Sequence, residues 1–315
     1  MFFIPFLIFK NTYWTIDNYL QRIADSVLIA HSKFYKYSAI LLADVQSGRI
    51  LVASCYRDNK FDYNVCFNEK FPAASLFKIV TAIASIEVLN LNPDDEIYFY
   101  GRVYSEMPHI WLANYPNRKQ SFKVAFGLSN NPIFGKLAIL VGSWNLYNYG
   151  KKMFFDVIYP KDDFSSALMG AGFINSYIKP IDALRLITSI ANKGIVKSLT
   201  LIDSIPGFYY YATRNEGYIM KEETFLKLKE LFRETVRTGT ASKFLKDYDV
   251  GGKTGSLSDR LHNGYIKWFV GFLPVDEPKY AFVSMSVEKV HYRKLSPIAN
   301  IKPIIELLKE HGTIF

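Results

Sequence analysis

Hydrophobic positions recur at helical spacing near the start of the chain. In residues 14–33 they fall every three or four positions, a pattern that predicts an amphipathic helix. Residues 37–57 read as two strands, because apolar runs flank the turn-forming pair Ser47-Gly48. A helix that is apolar almost throughout follows over residues 71–89. The first third of the chain therefore predicts helix, hairpin and buried helix in that order.

The middle of the chain, between about residues 92 and 240, is mostly helical in pattern, with residues 180–194 and 221–237 as clear examples. Strand patterns return in DVGGKTGSLSD, YIKWFVGFLPV and KYAFVSMSVEKV, and a last helix covers residues 297–310. The simplest assembly is a five-stranded antiparallel sheet joining both ends of the chain. We expect an α/β protein of the α+β type, with helices over the sheet and an inserted helical lobe. Residues 14–315 would form one domain, with a site in the cleft between the lobes.

The composition supports a folded chain and adds a basic surface. Half of the residues are hydrophobic, enough for a sizeable core, and the net charge is +9 without a polybasic block. A basic surface suits anionic partners. No nucleic-acid-binding motif accompanies the charge, so we expect no nucleic-acid partner.

The first nine residues, MFFIPFLIF, are apolar and precede Lys10. This run is shorter than the about 20 apolar residues that span a bilayer. It also lacks the basic start and the cleavage site of a signal peptide. Residues 1–13 are therefore either the remnant of a membrane anchor or signal, or a hydrophobic first strand or packed tail.

The two cysteines, Cys55 and Cys66, are accompanied only by scattered histidines, so we expect no metal site and no cofactor. The favoured interpretation is two thiols in the core. A disulfide is the alternative if the chain is exported, since disulfides persist in oxidising compartments.

Ser-x-x-Lys occurs three times, as Ser75/Lys78, Ser176/Lys179 and Ser286/Lys289. In the second pair Lys179 is followed by Pro180, and the residue before a proline is pushed out of helical conformation, so this pair does not share a helix face. The third lies in a predicted strand, where residues three apart face opposite sides. Only Ser75 and Lys78 share a helix face. They are either an N-cap with a solvated lysine, or a nucleophile with its base.

Lys253-Thr254-Gly255 occurs once and follows two glycines in a predicted strand. Glycines in a strand indicate a close approach of the backbone to a ligand or to another element. Lys253 supplies a fixed positive charge, and the hydroxyls of Thr254 and Ser256 could hold a carboxylate. A plain surface strand end would explain the same letters.

Ser-x-Asn occurs twice, beginning at Ser129 and at Ser143. We prefer Ser129 with Asn131, because they precede Pro132 and an apolar segment, as a loop leading into a helix would. Helix capping alone would explain either occurrence.

In the order SLFK, SNN and KTG, these motifs resemble those of the penicillin-binding transpeptidases and serine β-lactamases. The resemblance covers about residues 37–290. The stretches GFINSYIKPIDALRLITSIANKG, RTGTASKF and IKWFVGFLP are also similar to segments of this family. The resemblance implies a penicillin-binding/β-lactamase-like fold.

The resemblance also implies roles. Ser75 attacks a carbonyl and becomes acylated, and Lys78 takes its proton if burial lowers the lysine pKa. Ser129 relays a proton to the leaving group, and Asn131 holds the substrate amide. The N–H groups of Ser75 and Ser256 form the oxyanion hole. The implied catalytic set is Ser75, Lys78, Ser129 and Lys253, and the substrate-binding set is Asn131, Thr254, Gly255 and Ser256.

The family's substrate is the D-Ala-D-Ala end of a peptidoglycan stem peptide, which penicillin and other β-lactam antibiotics mimic. The resemblance therefore implies action on the outer face of the cytoplasmic membrane or in the periplasm. Other cell-wall synthesis proteins are the expected partners.

Three rival functions remain in the sequence: a serine β-lactamase, a D,D-carboxypeptidase and a non-catalytic penicillin sensor. Against a β-lactamase, the chain has no glutamate between Glu106 and Glu216 to activate water. The polar Asn131 disfavours the type that uses a carboxylated lysine. Tyr115-Pro116-Asn117 has the letters of a third type but lies upstream of Ser129 and is discounted. The intact motifs argue against the sensor, whereas transpeptidase and carboxypeptidase share their first step.

Overall fold

The computed structural model describes residues 12–113, 115–207, 209–290 and 296–310. The helices are α1 Asn18–His31, α2 Asn64–Phe67, α3 Phe77–Leu89, α4 Pro108–Trp111, α5 Phe122–Gly127, α6 Asn131–Val141, α7 Ser143–Lys152, α8 Asp163–Ala171, α9 Pro180–Ala191, α10 Glu222–Arg237, α11 Ser242–Leu245 and α12 Pro297–Glu310. The strands are β1 Tyr13–Trp14, β2 Tyr35–Asp44, β3 Ile50–Arg57, β4 Lys60–Phe61, β5 Phe71–Pro72, β6 Glu96–Phe99, β7 Arg118–Ser121, β8 Asp156–Val157, β9 Ser176–Ile178, β10 Ile195–Lys197, β11 Ile202–Ile205, β12 Tyr209–Tyr210, β13 Asn215–Tyr218, β14 Gly251–Asp259, β15 Gly264–Leu273 and β16 Tyr280–Glu288. The alternatives for residues 1–13 fall almost entirely outside the described residues.

One antiparallel sheet joins the two ends of the chain, in the strand order β14-β15-β16-β2-β3-β4. The five predicted strands are all present, and β16 pairs with β2 as the assembly requires. The sixth strand, β4, is two residues long and pairs with the end of β3 at the sheet edge. The sequence prediction missed it because two residues carry no periodicity.

The predicted hairpin turn lies between β2 and β3. The Ser47 N–H donates to Asp44 Oδ1 at 2.7 Å. Gly48 has φ +75°, and a Cβ there would lie 2.3 Å from the carbonyl oxygen of Ser198. Glycine is therefore required at this position both for its backbone conformation and for space.

The central strand β2 is buried on both faces, which explains its almost continuous apolar sequence. Ile40 and Leu42 pack into a core layer with α1 and α12. Ala39, Leu41 and Ala43 pack into the larger core on the opposite face, which includes α3 and α9. The sheet is thus the middle layer between two groups of helices.

The predicted helical block contains α4 to α10, together with short strand pairs such as β6–β7 and β10–β13. The helices predicted at 180–194, 221–237 and 297–310 are found as α9, α10 and α12. In the described part of the chain, no helix combines the length and the apolar character needed to cross a membrane.

Helix α3 lies in the main core, and its residues 77–86 are all buried. It packs against α6, α7, α8 and α10. A helix that is apolar on every side is stable in water only when it is surrounded. The start of α3 is therefore held firmly, which matters because Ser75 lies directly before it.

The expectation of two core thiols is wrong, because Cys55 and Cys66 form a disulfide, with their Cα atoms 5.9 Å apart. Cys55 is in β3, and α2 folds back onto that strand and brings Cys66 beside it. Both residues are fully buried, as core thiols would be. Their burial could be predicted from the sequence, whereas the return of α2 could not.

Removal of this disulfide should destabilise the protein without changing the fold. For a Cys55→Ala/Cys66→Ala double variant we expect the free energy of unfolding to fall by about 2–4 kcal/mol, because the crosslink restricts the unfolded chain. Urea unfolding with and without a reductant measures this difference. With reductant present, the urea concentration at the unfolding midpoint should fall for the parent protein and stay the same for the variant. Equal midpoints for the two oxidised proteins would contradict the expectation.

Candidate active site

Ser75 lies in a 3₁₀ turn, Ala74–Leu76, that continues directly into α3. The turn is anchored to the sheet just before it begins, because Trp268 Nε1 donates to the Pro72 carbonyl at 3.0 Å. Ala74 has φ +49°, a left-handed conformation that is uncommon for a residue with a side chain. Such strained residues cluster at functional sites, where the surroundings hold them in place.

The Lys78 side chain is fully buried one turn further along. Its Nζ lies 2.8 Å from each of three oxygens, Ser75 Oγ, Asn131 Oδ1 and the Ala171 carbonyl. The last two can only accept hydrogen bonds, whereas the serine hydroxyl can also donate. A neutral amine has two N–H groups for the two acceptors and one lone pair for the hydroxyl. The three contacts fit either an ammonium that donates to all three oxygens or a neutral amine that accepts from the Ser75 hydroxyl.

The electrostatics favour the neutral amine. Burial, and secondarily the nearby positive charge of Lys253, lowers the pKa of Lys78 well below its usual value. Burial removes the hydration that stabilises an ammonium group, and a like charge adds repulsion. The lowered pKa increases the share of neutral Lys78, the form that can accept a proton from the Ser75 hydroxyl.

Ser129 and Asn131 lie at the junction of α5 and α6. Asn130, between them, is the N-cap of α6 and accepts from the Ile133 N–H at 3.0 Å. Capping therefore explains Asn130 and leaves the side chains of its two neighbours free for the site. Ser129 has φ +57° and is 7% exposed, and its Oγ accepts a hydrogen bond from Lys253 Nζ at 3.0 Å.

Lys253 is also fully buried, and burial lowers its pKa to about 7. Its Nζ donates to the Thr254 carbonyl at 2.9 Å and lies 5.4 Å from the centre of the Phe126 ring. At Gly255 an added Cβ would come within 3.3 Å of the Ser75 N–H nitrogen. The small residue lets β14 pass directly beside the start of α3.

A cavity of about 250 Å³ opens between these elements. Six of the eight predicted site residues line it, namely Ser75, Ser129, Asn131, Thr254, Gly255 and Ser256. The other two, Lys78 and Lys253, lie buried behind the wall and contact it through Ser75 and Ser129. The structure thus brings together all three motifs, which are far apart in sequence.

The cavity also contains residues that the sequence prediction did not select, namely Tyr104, Glu106, Ala171, Gly172, Phe173, Thr240, Leu257 and Tyr265. Thr240 lies in the family-like stretch RTGTASKF, and its Oγ1 is 2.6 Å from Thr254 Oγ1. That stretch was a usable signal for Thr240. Tyr104 and Glu106 lie in a loop without a periodic pattern, so no comparable signal marked them.

The competing motifs lie elsewhere. Ser143 Oγ is hydrogen-bonded to Ser166 Oγ at 2.8 Å, at the start of α7. Ser176 is in β9 and Ser286 is in β16, so neither begins a helix with its lysine. Tyr115 is 70% exposed and packs against the ring of Tyr100. None of these four residues lines the cavity beside Ser75.

The lowered pKa of Lys253 should make stability depend on pH. Its pKa is about 7 in the folded protein against 10.5 for the free side chain, so the unfolded chain binds more protons between those values. The free energy of unfolding should therefore rise with pH over this range and be lowest below it. In Lys253→Met this rise should be smaller, whereas the exposed control Lys246→Met should keep it. Urea unfolding at about pH 7 and about pH 10 measures the slopes, and equal slopes in all three proteins would contradict the assignment.

Comparison with known proteins identifies the family of the chain. The family model described as the penicillin-binding protein transpeptidase domain matches residues 38–305. Stage V sporulation protein D of Bacillus subtilis is 25% identical over 312 residues, which cover 84% of this chain and 47% of the relative. Penicillin-binding protein PbpB of Mycolicibacterium smegmatis is 26% identical, covering 95% of this chain and 54% of the relative. The chain thus spans about half the length of the curated relatives it matches.

Solved structures share the fold at lower identity. PBPA from Mycobacterium tuberculosis superposes with a TM-score of 0.77 and 17% identity, over 94% of this chain and 82% of that one. For its complex described as an imipenem acyl-enzyme the TM-score is 0.74, with 18% identity over 94% and 80% of the two chains. The transpeptidase domain of penicillin-binding protein 3 from Burkholderia pseudomallei gives 0.77 and 18%, over 95% and 96%. With the match over residues 38–305 and the assembled motifs, the chain belongs to the penicillin-binding protein transpeptidase domain family.

Proposed function

We propose that the protein is a serine D,D-transpeptidase that acts on the D-Ala-D-Ala end of peptidoglycan stem peptides. The observation that carries this proposal is the buried Lys78, whose Nζ lies 2.8 Å from Ser75 Oγ with two acceptors for its N–H groups. A serine hydroxyl is a weak nucleophile unless a neighbouring base takes its proton. Lys78 is such a base and is in place before any substrate arrives.

In the first half-reaction, Ser75 Oγ attacks the carbonyl carbon of the penultimate D-alanine while Lys78 takes the hydroxyl proton. The Oγ–C bond forms and the C–N bond to the terminal D-alanine breaks. The leaving amine receives a proton through Ser129, which is hydrogen-bonded to Lys253. The N–H groups of Ser75 and Ser256 stabilise the oxyanion, a contribution that is often worth about 10²–10³ in rate per donor.

Substrate binding uses the remaining motif residues. Thr254 and Ser256 line the cavity beside buried Lys253, where two hydroxyls and a positive charge can hold the terminal carboxylate. Asn131 also lines the cavity and can contact the substrate amide.

In the second half-reaction, an amine of another stem peptide attacks the ester. The new C–N bond replaces the C–Oγ bond, one amine proton returns to Ser75 Oγ, and the product is a crosslink. Water in place of the amine would make the protein a carboxypeptidase. The relatives support the transpeptidase assignment, since the family is defined by that domain.

We further propose that the protein works on the outer face of the cytoplasmic membrane or in the periplasm, where peptidoglycan lies. The Cys55–Cys66 disulfide supports an oxidising compartment.

In the same proposal residues 14–315 form one transpeptidase domain, with the helical lobe at about 92–240. β-Lactam antibiotics would acylate Ser75, as the PBPA acyl-enzyme complex with imipenem suggests. Other cell-wall synthesis proteins would be its partners.

Penicillin should form one covalent adduct, at Ser75. Intact-mass analysis should show the adduct in the parent protein and in Ser143→Ala, which alters the other Ser-x-Asn. It should be absent from Ser75→Ala. In a chase after labelling, the adduct should persist for minutes, because a transpeptidase lacks efficient water activation. An adduct that survives in Ser75→Ala would refute the assignment, and turnover on the order of 10 s⁻¹ would indicate a β-lactamase.

Gly172→Ala should impair acylation by displacing the nucleophile's backbone. Gly172 has φ +90°, and an added Cβ would lie 2.0 Å from the Ala74 carbonyl oxygen and 3.0 Å from the Ser75 nitrogen. The peptide carrying the proposed oxyanion donor would have to move, so we expect a loss of roughly 10²-fold in acylation rate. Gly142→Ala is the matched control, because Gly142 has φ +85° and nothing within 4 Å of the added carbon. Equal acylation rates in the two variants would contradict this role.

A further inference from the structure

A second and larger cavity, of about 1030 Å³, adjoins the catalytic one. It is lined by residues 100–107 with Ile110, Asn117 and Arg118. Tyr104 and Glu106 line both cavities, so the two meet at these side chains. A molecule in the second cavity could therefore reach Ser75 past Tyr104 and Glu106.

The second cavity carries charges of both signs. Arg102 and Arg118 line it, and Glu106 lies where the two cavities meet. Among the described residues that line the catalytic cavity, Glu106 is the single acidic one. Arg118 Nη1 lies 3.5 Å from the Gly101 carbonyl oxygen. Within the described residues, the side chains of Arg102 and Glu106 form no hydrogen bond or ion pair. These two charges are free to contact a ligand.

The wall between the cavities is tied to the catalytic residues. The Asn131 N–H donates to the Val103 carbonyl at 2.8 Å, and Asn131 Nδ2 donates to the Ser105 carbonyl at 3.1 Å. Asn131 Oδ1 in turn accepts from Lys78 Nζ. The segment that carries Tyr104 and Glu106 is therefore held at a fixed position relative to Lys78.

The charges match the second substrate of a transfer reaction. An alkyl amine has a pKa of about 10 and reaches the site as an ammonium ion. A protonated Lys253 repels a cation, and an anion near the path of the amine offsets that repulsion. Water, the competing nucleophile, carries no charge and needs no such anion. A carboxylate at the position of Glu106 would therefore favour an amine over water.

We propose that the second cavity binds the acceptor stem peptide, with Glu106 contacting its ammonium group and Arg102 contacting a carboxylate of the same peptide. This inference rests on the proposed transpeptidase function. On transfer, the ammonium loses one proton to solvent and its nitrogen forms the C–N bond. The C–Oγ bond to Ser75 breaks, and the second proton passes to Ser75 Oγ.

The test follows a tagged peptide that ends in D-Ala-D-Ala and measures how its acyl group divides between water and an added amine. Glycylglycine, which carries an ammonium and a carboxylate, is compared with glycylglycinamide, which lacks the carboxylate. Glu106→Gln should raise the concentration needed for half-maximal transfer about three- to tenfold for both amines, as expected for a charge-assisted contact. Arg102→Gln should raise it for glycylglycine only. Glu223→Gln and Arg22→Gln are exposed, charge-matched controls that should change neither.

Acylation by penicillin should stay within about twofold of the parent in Glu223→Gln and Arg22→Gln, because neither residue lines either cavity. In the two cavity variants the division between amine and water is measured after acylation, so it reports the second step alone. If the parent acylates but transfers to no amine, the transpeptidase function fails and this inference fails with it. If the parent transfers and Glu106→Gln shows the same amine dependence, only this inference is overturned. Slower hydrolysis of the acyl-enzyme without amine in Glu106→Gln would also overturn it, because Glu106 would then serve water.

Discussion

Two lysine side chains, Lys78 and Lys253, are completely buried, and the proposed catalytic arrangement depends on the energy of placing them there. A buried ammonium group is strongly disfavoured, so each lysine has a lowered pKa. The Nζ atoms of both lysines are hydrogen-bonded to neutral oxygen atoms, and in the described part of the chain neither is paired with a carboxylate. An acidic partner would have restored the charge and removed the base.

The fold supplies this environment from three separate directions. Helix α3 brings Lys78 into the main core, the α5–α6 junction brings Ser129 and Asn131, and the first half of β14 brings Lys253. Close backbone contacts at Gly172 and Gly255 complete the assembly. The strain at Ala74 and Ser129, both with positive φ, is tolerated because these elements are packed on all sides.

Much of this was readable in the sequence, because it follows from local patterns. The apolar run after Ser75, the proline after Lys179 and the glycines before Lys253 each have a local physical meaning. The disulfide, the short strand β4 and the position of Glu106 could not be read in this way. Each depends on how one segment folds back onto another, as α2 does onto β3. Glu106 illustrates the limit, because its place in the cavity follows from hydrogen bonds between its loop and Asn131.

The two lysines also differ in what a substrate would do to them. Lys253 has a pKa of about 7 and lies beside the hydroxyls that would receive a carboxylate. An anion bound there favours the protonated form, so we expect Lys253 to take up a proton when substrate binds. A charged Lys253 in turn lowers the pKa of Lys78, which it already affects in the free protein. On this argument the anionic end of the substrate keeps Lys78 uncharged at the moment when Ser75 must lose its proton.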